Sequence, residues 1–334
     1  MLIAILAGCS LVQPKSTRRT ELVFDTPCTV TVFQRRATEA LDAVFEEIRR
    51  VQSIMNIYDP GSEISELNRH AGADAMAVSK ELYKVIETGI AYGQVTGGAF
   101  DISIGPLVKL WDIGGEAPRV PSTGEIGRAL ALVEYLDILV LDFERRVLLK
   151  SPGMLLDLGG IAKGFAADRA AETLRSKGIE RAIVDFGGNI FAIGEKESGT
   201  AWRIGVQHPE EPRGNYLGIL SVRNRAVVTS GVYERYFEHE GTDYHHILDP
   251  YTGYPVDNGL VSVTIVAPSA MTADALSTAV FVLGIPAGIT LVENFEGVEA
   301  VLVTGDRELY LTSKADALFH PSDETYTIKN IGGR

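Results

Sequence analysis

Cysteine is scarce in this chain: there are two, Cys9 and Cys28, far apart in the sequence. That excludes a disulfide framework and a cysteine-based zinc site, and Cys28, in an alternating strand-like run, reads as a buried, inert thiol. No HExxH or CxxC is present, so zinc chemistry has no ligand set. GxSxG is missing, and Ser151, Ser230 and Ser262 have no evident base, which removes support for a serine hydrolase. Positive charge is also thin. The formal charge is -13, and basic residues run no longer than the pairs Arg18-Arg19 and Arg35-Arg36, so nucleic acid is excluded as a partner. Past the N-terminus no apolar run approaches the roughly 18 residues of a spanning helix.

With 334 residues, 46% hydrophobic and 22% charged, and with no linker, repeat or low-complexity tract, the chain reads as one large domain or two closely packed lobes. The first residues, Met1 to Ser10, are apolar and end in small residues and a cysteine. Leu6-Ala7-Gly8-Cys9 resembles a bacterial lipobox, which implies acylation of Cys9 and a mature protein anchored to a membrane surface. The competing reading is a short hydrophobic terminus that happens to hold a cysteine, and the lack of a basic n-region favours it.

Patterning predicts a strand over 22–34, a helix from Thr38 to Met55, a helix capped by Ser79 and ending near Val95, and a short helix capped by Ser122 or Thr123 running to Val133. Short strands follow at 138–141, 147–149 and 154–156, then a helix over 161–176 and strands at 182–186, 202–207, 216–222, 226–229 and 261–266. Helices at 270–283 and 286–294 and a hairpin at Gly305-Asp306 close the pattern. Helices and strands come in mixed blocks without regular βαβ alternation, so the expected class is α+β. Residues after Ser322 read as a loose tail.

Chemistry concentrates in two segments. Asp157-Leu158-Gly159-Gly160-Ile161-Ala162-Lys163-Gly164 is a glycine-rich turn with a carboxylate at a strand end and a lysine opening a helix. It is neither a P-loop nor a GxGxxG fingerprint. Its glycines permit close backbone approach, and a helix N-terminus favours anions. Alternatively it is an ordinary strand-turn-helix junction. In Ala273 to Thr278, Asp274 and Thr278 lie four apart on one helix face, hard oxygen donors of the kind Mg²⁺ takes, or else a dipole-complementing carboxylate and a back-bonded hydroxyl. Taken together, the two segments suit a nucleotide pyrophosphate with its magnesium ion. His245-His246-Ile247-Leu248-Asp249-Pro250 is a strand entering a turn; alternation sends the two histidines to opposite faces, so one of them faces a site as proton acceptor, or else the segment is a capped turn with a solvent histidine. Gly97 to Leu107 and Met55 to Tyr58 carry aromatics and carboxylates able to sandwich a flat heterocycle, although Tyr58 and Phe100 suit a core equally well.

Six blocks in order, Tyr58 with Ser62 to Asn68, GGAFD at 97–101, DLGGIAKG at 157–164, DFGGN at 185–189, HHILDP at 245–250 and ADALST at 273–278, resemble the FAD:protein FMN transferase (ApbE-type) family from about Leu22 to Tyr310. One departure stands out: the family's usual Met-Gly-Thr is Phe24-Asp25-Thr26 here. The resemblance implies a T-fold-like α+β catalytic domain over 22–321, preceded by a lipoprotein signal and tether at 1–21 and followed by the tail at 322–334. It implies an enzyme that takes FAD as substrate with Mg²⁺ and transfers FMN to a threonine or serine of an acceptor protein, releasing AMP. Tyr58, Ala99, Phe100, Asp101, Asp157, Lys163 and Ile247 would contact FAD; the Gly160 carbonyl, Asp274 and Thr278 would hold the metal; His246 would assist deprotonation of the acceptor hydroxyl. With a lipid anchor at Cys9, the expected location is the cell envelope, on the extracytoplasmic side. An FAD pyrophosphatase and a non-catalytic flavin-carrying lipoprotein are the alternatives, and the intact Asp274/Thr278 pair argues against the second.

Overall fold

The computed structural model describes residues 16–34, 37–141 and 143–330, so Cys9 and the lipobox lie outside the described residues. Its backbone is a nine-stranded sheet whose spatial order equals chain order: β1 (Thr17–Val23), β2 (Thr26–Val32), β3 (Ala182–Phe186), β4 (Asn189–Ile193), β5 (Arg225–Gly231), β6 (Leu260–Ala267), β7 (Glu299–Thr304), β8 (Glu308–Leu311) and β9 (Thr327–Asn330). Every neighbouring pair is antiparallel except β8 and β9. Strand β9 falls in the segment expected to be a loose tail, and it closes the sheet edge instead.

The single strand expected over 22–34 is the end of one strand, a turn and a second strand. Phe24 and Asp25 take φ of 51° and 53°, the left-handed pair of a two-residue hairpin, and β1 and β2 pair on either side of them. Neither residue is glycine or asparagine, so the usual turn signal is missing. No strand forms at 154–156; Leu155 makes only an isolated bridge to Ile104.

Among the described residues eight α-helices fill the connections: α1 (Thr38–Met55), α2 (Glu63–Arg69), α3 (Lys80–Val95), α4 (Gly105–Trp111), α5 (Thr123–Leu130), α6 (Ala162–Ser176), α7 (Ala270–Leu283) and α8 (Ile285–Glu293). Ser79 and Ser122 cap α3 and α5 as expected, the latter with a full capping box to Glu125, although α5 stops at Leu130. Side-chain alternation splits the sheet between two cores. Val228, Val263, Ile265, Ala300 and Leu302 face the helices α1, α6 and α7, while Val227, Val266, Val301 and Val303 face a small sheet of Trp202–Gln207, Tyr216–Val222 and Phe319–Pro321. Coverage on both faces explains why β6 and β7 read as continuous apolar runs. Among the described residues no helix is long and apolar enough to cross a membrane.

Candidate active site

The glycine-rich turn is held from below by a bond from Asp157 N–H to Ile102 C=O at 2.8 Å. The Asp157 carboxylate accepts from Gly159 N–H at 2.6 Å, which tightens the turn just before α6 starts. Burial raises its pKa, with Lys163 and Arg235 working against that shift. Gly160 is needed for space: a Cβ there would come within 3.1 Å of the Phe100 ring and 3.2 Å of Thr278 Oγ1. That contact places Gly160 beside Thr278. At the second residue of α6, Lys163 Nζ bonds among the described residues only to Gly159 C=O, at 2.9 Å, and no carboxylate pairs with it.

Helices α6 and α7 meet at their N-termini, where a Cβ on Gly164 would run into Ala270 C=O. Each helix satisfies the other's free N–H groups. Asp168 of α6 accepts from Ala270 N–H (2.7 Å), Met271 N–H (3.0 Å) and Ser269 Oγ (2.6 Å) at the start of α7. In return, Asp274 of α7 accepts from Gly164 N–H at 2.9 Å and from Asn189 Nδ2 at 2.9 Å. Asp274 is buried with no cation in ion-pair distance among the described residues, and burial holds its pKa above the ordinary carboxylate value against the opposing charge of Lys163. Thr278 Oγ1 makes only a long 3.4 Å bond to Asp274 C=O, which leaves its oxygen available.

The adjacent histidines separate, but not by alternation along a strand: the strand ends at His245, and His246 lies in the bend that follows. His245 is buried; its Nε2 donates to Val256 C=O at 2.9 Å and its Nδ1 accepts from Ile247 N–H at 3.3 Å, a structural role. His246 turns the other way. Its Nδ1 lies 3.2 Å from Arg235 C=O, and because a carbonyl only accepts, Nδ1 carries the proton and Nε2 presents a lone pair. His246 is half-buried, and desolvation in the cleft, reinforced by the charges of Lys163 and Arg235 and by His245, pushes its pKa down to about 3 against the opposing hydrogen bond to Arg235 C=O.

All eleven residues singled out in the sequence, Cys9 apart, line one cavity of about 410 Å³. Tyr58 stands 61% exposed at its edge, while Ala99, Phe100 and Ile247 are buried in its wall. Asp101 is less free than expected: one oxygen accepts from Ser103 N–H and Oγ, the other from Tyr135 N–H at 3.0 Å, so it organises the wall. A second, more open basin, bordered by Arg181, Lys196 and Arg223, holds none of these motifs.

A family model described as the ApbE family matches residues 24–302. The chain belongs to the ApbE family. A FAD:protein FMN transferase of Klebsiella pneumoniae (strain 342) is 37% identical over 285 residues, spanning 85% of this chain and 88% of the relative. The ApbE protein of Thermotoga maritima superposes with a TM-score of 0.85 at 34% identity, over 91% of this chain and 99% of that one. The flavin transferase ApbE of Vibrio cholerae gives 0.81 at 28% identity over 91% and 99%. The α+β architecture is thus the ApbE one. Within this ApbE chain the Phe24-Asp25-Thr26 departure also lines the cavity. Sequence reasoning missed Asn189, Asp168, Arg213 and Arg235; Asn189 alone sat inside a recognised block, DFGGN, with no sign that it would brace Asp274.

Proposed function

We propose that the cleft binds FAD together with Mg²⁺, cleaves the pyrophosphate, and transfers FMN to a threonine or serine hydroxyl of an acceptor protein, releasing AMP. The observation that carries the reading is the convergence of Gly160, Asp274 and Thr278 on one wall with the unpaired Lys163 and the lone pair of His246. The donors suit a magnesium ion. They are all oxygens, one is a buried carboxylate with no direct ion pair among the described residues, and another is a hydroxyl without a good partner. Charge argues the same way. Five carboxylates line the cavity (Asp25, Asp101, Asp157, Glu234, Asp274) against three cations (Lys163, Arg213, Arg235), so an added cation strengthens the hold on a pyrophosphate.

When bound through Asp274, Thr278 and the Gly160 carbonyl, the metal would neutralise charge building on the leaving phosphate. Lys163 holds phosphate oxygens as a point charge at the N-terminus of α6. Tyr58, Phe100 and Ile247 offer flat and apolar surface to the isoalloxazine. His246 Nε2 takes the proton of the acceptor hydroxyl as its oxygen forms a bond to the FMN phosphorus; the bond to the AMP phosphate breaks, and AMP departs with the electron pair. Incubation of the protein with FAD, Mg²⁺ and an acceptor domain, followed by mass spectrometry, should show the acceptor heavier by one FMN phosphoester. AMP release with no mass gain would make the enzyme a pyrophosphatase instead.

We further propose acylation at Cys9, on the strength of Leu6-Ala7-Gly8-Cys9. Cys9→Ser should move the protein out of the membrane fraction without loss of transfer in vitro; retention there would refute the anchor.

A further inference from the structure

We propose that Arg235 is a second phosphate-binding cation of the cleft and a determinant of its preference for FAD over flavins without a pyrophosphate, an inference that rests on the FAD reading above. Arg235 lies between β5 and the exposed hairpin of Tyr236–His239 and Thr242–His245, and it lines the cavity. Its guanidinium has no hydrogen bond or ion pair among the described residues, whereas the neighbouring Arg213 is tied to Glu234. An arginine left without a partner in a cavity edged by five carboxylates is placed for an anion that the protein itself does not supply. Its charge is felt at Asp157 and at His246, which puts it within electrostatic reach of the residues that bracket the pyrophosphate in the proposed mode.

Two contacts fix where it points. The side-chain stem lies on Gly114, where φ is +85° and a Cβ would come within 3.2 Å of Arg235 Cδ. A glycine there supplies both the left-handed turn and the room for the stem. Meanwhile the Arg235 carbonyl accepts from His246 N–H at 3.1 Å and from Nδ1 at 3.2 Å. One residue therefore holds the base by its backbone and the substrate by its side chain. This keeps Nε2 of His246 in register with the phosphate that is attacked. A side-chain substitution leaves the carbonyl in place, so the two duties separate experimentally.

The test is flavin-fluorescence titration of the full protein in EDTA with FAD and with riboflavin, for the wild type, Arg235→Gln and Arg235→Lys. Arg235→Gln should weaken FAD binding by about 10- to 100-fold, the effect of one lost charge-assisted contact, and leave riboflavin within about twofold. Arg235→Lys should recover part of the FAD affinity at low salt and lose it as salt rises. Equal losses for both flavins would assign Arg235 to packing on Gly114, and an unchanged FAD constant would leave the guanidinium in solvent; either result overturns the proposal. FMN transfer with Mg²⁺ by the wild type, measured alongside, separates these from a failure of the FAD reading, which would show as a wild type that neither prefers FAD nor transfers FMN.

Discussion

Asp274→Ala removes the one buried carboxylate assigned to the metal, and its consequences can be worked out term by term. The variant loses two hydrogen bonds, from Gly164 N–H and Asn189 Nδ2, at about 1 to 3 kcal/mol each for bonds to a charged acceptor. Against this, a buried charge with no cation beside it disappears, a relief of several kcal/mol in the same direction as the raised pKa. The terms oppose each other, so stability without metal should stay within about 2 kcal/mol of wild type. Mg²⁺ should behave otherwise. At a concentration about 100 times its dissociation constant, a ligand binding only the folded state adds about 2.7 kcal/mol, which for a chain of this size is roughly 4 °C in melting temperature. Thermal unfolding of wild type and variant, each in EDTA and in FAD with excess Mg²⁺, reads both quantities, and a coupled assay reads AMP. The wild type should show the metal-dependent rise and Asp274→Ala none, with AMP release reduced at least about 10³-fold. A variant that keeps the metal-dependent rise would refute the assignment of Asp274 to the metal.

Lys163→Ala should weaken FAD binding most at low salt, because an unpaired ammonium acts on phosphate as a screened point charge; equal binding constants at low salt would show the lysine facing away. His246→Ala should lower the single-turnover transfer rate by about 10²-fold or more with FAD affinity little changed, whereas His245→Ala should cost stability, through its bonds to Val256 and Ile247, more than rate. In the free protein, imidazole NMR should find His246 neutral from about pH 8 to about pH 5, since its folded pKa is lowered to about 3; titration near 6.5 would refute that. The sign follows: a folded pKa below the unfolded one means that His246 contributes stability above about pH 6.5, lost progressively as pH falls toward the folded value.

Legibility in the sequence tracked the range of the interactions involved. Helices α1, α3, α6 and α7 carry their own period and caps, and their bounds were readable to within about two residues. The Phe24-Asp25 turn was not, because its left-handed residues lack glycine and are imposed by the pairing of β1 with β2. Short α2 and α4 offer too few turns for a period, and β9 is a strand only because β8 offers it an edge. Among the site residues, those in glycine-rich or doubly polar blocks were visible. Asp168, on a helix with charged neighbours Arg169 and Glu172, looks like any solvated helix residue until α7 is packed against it.

That packing leads to a consequence at a distance from the cleft. Asp168 does not line the cavity, yet it accepts three hydrogen bonds at the start of α7, the helix that carries both Asp274 and Thr278. Removing it leaves two N–H groups at a buried helix end without partners, just where Gly164 and Ala270 touch. Asp168→Ala should therefore cost about 3 kcal/mol, the sum of several charge-assisted bonds less the relief of a buried charge. It should also shift the first turn of α7, so that Asp274 can no longer meet both Gly164 N–H and the metal. Chemical denaturation measures the first effect; the Mg²⁺ concentration giving half-maximal AMP release, normalised to folded protein, measures the second. If stability falls while that concentration stays at the wild-type value, Asp168 holds the helices together without setting the geometry of the site. If both move, the carboxylates exchanged between α6 and α7 act as one device, in which the partner that never touches substrate positions the one that does.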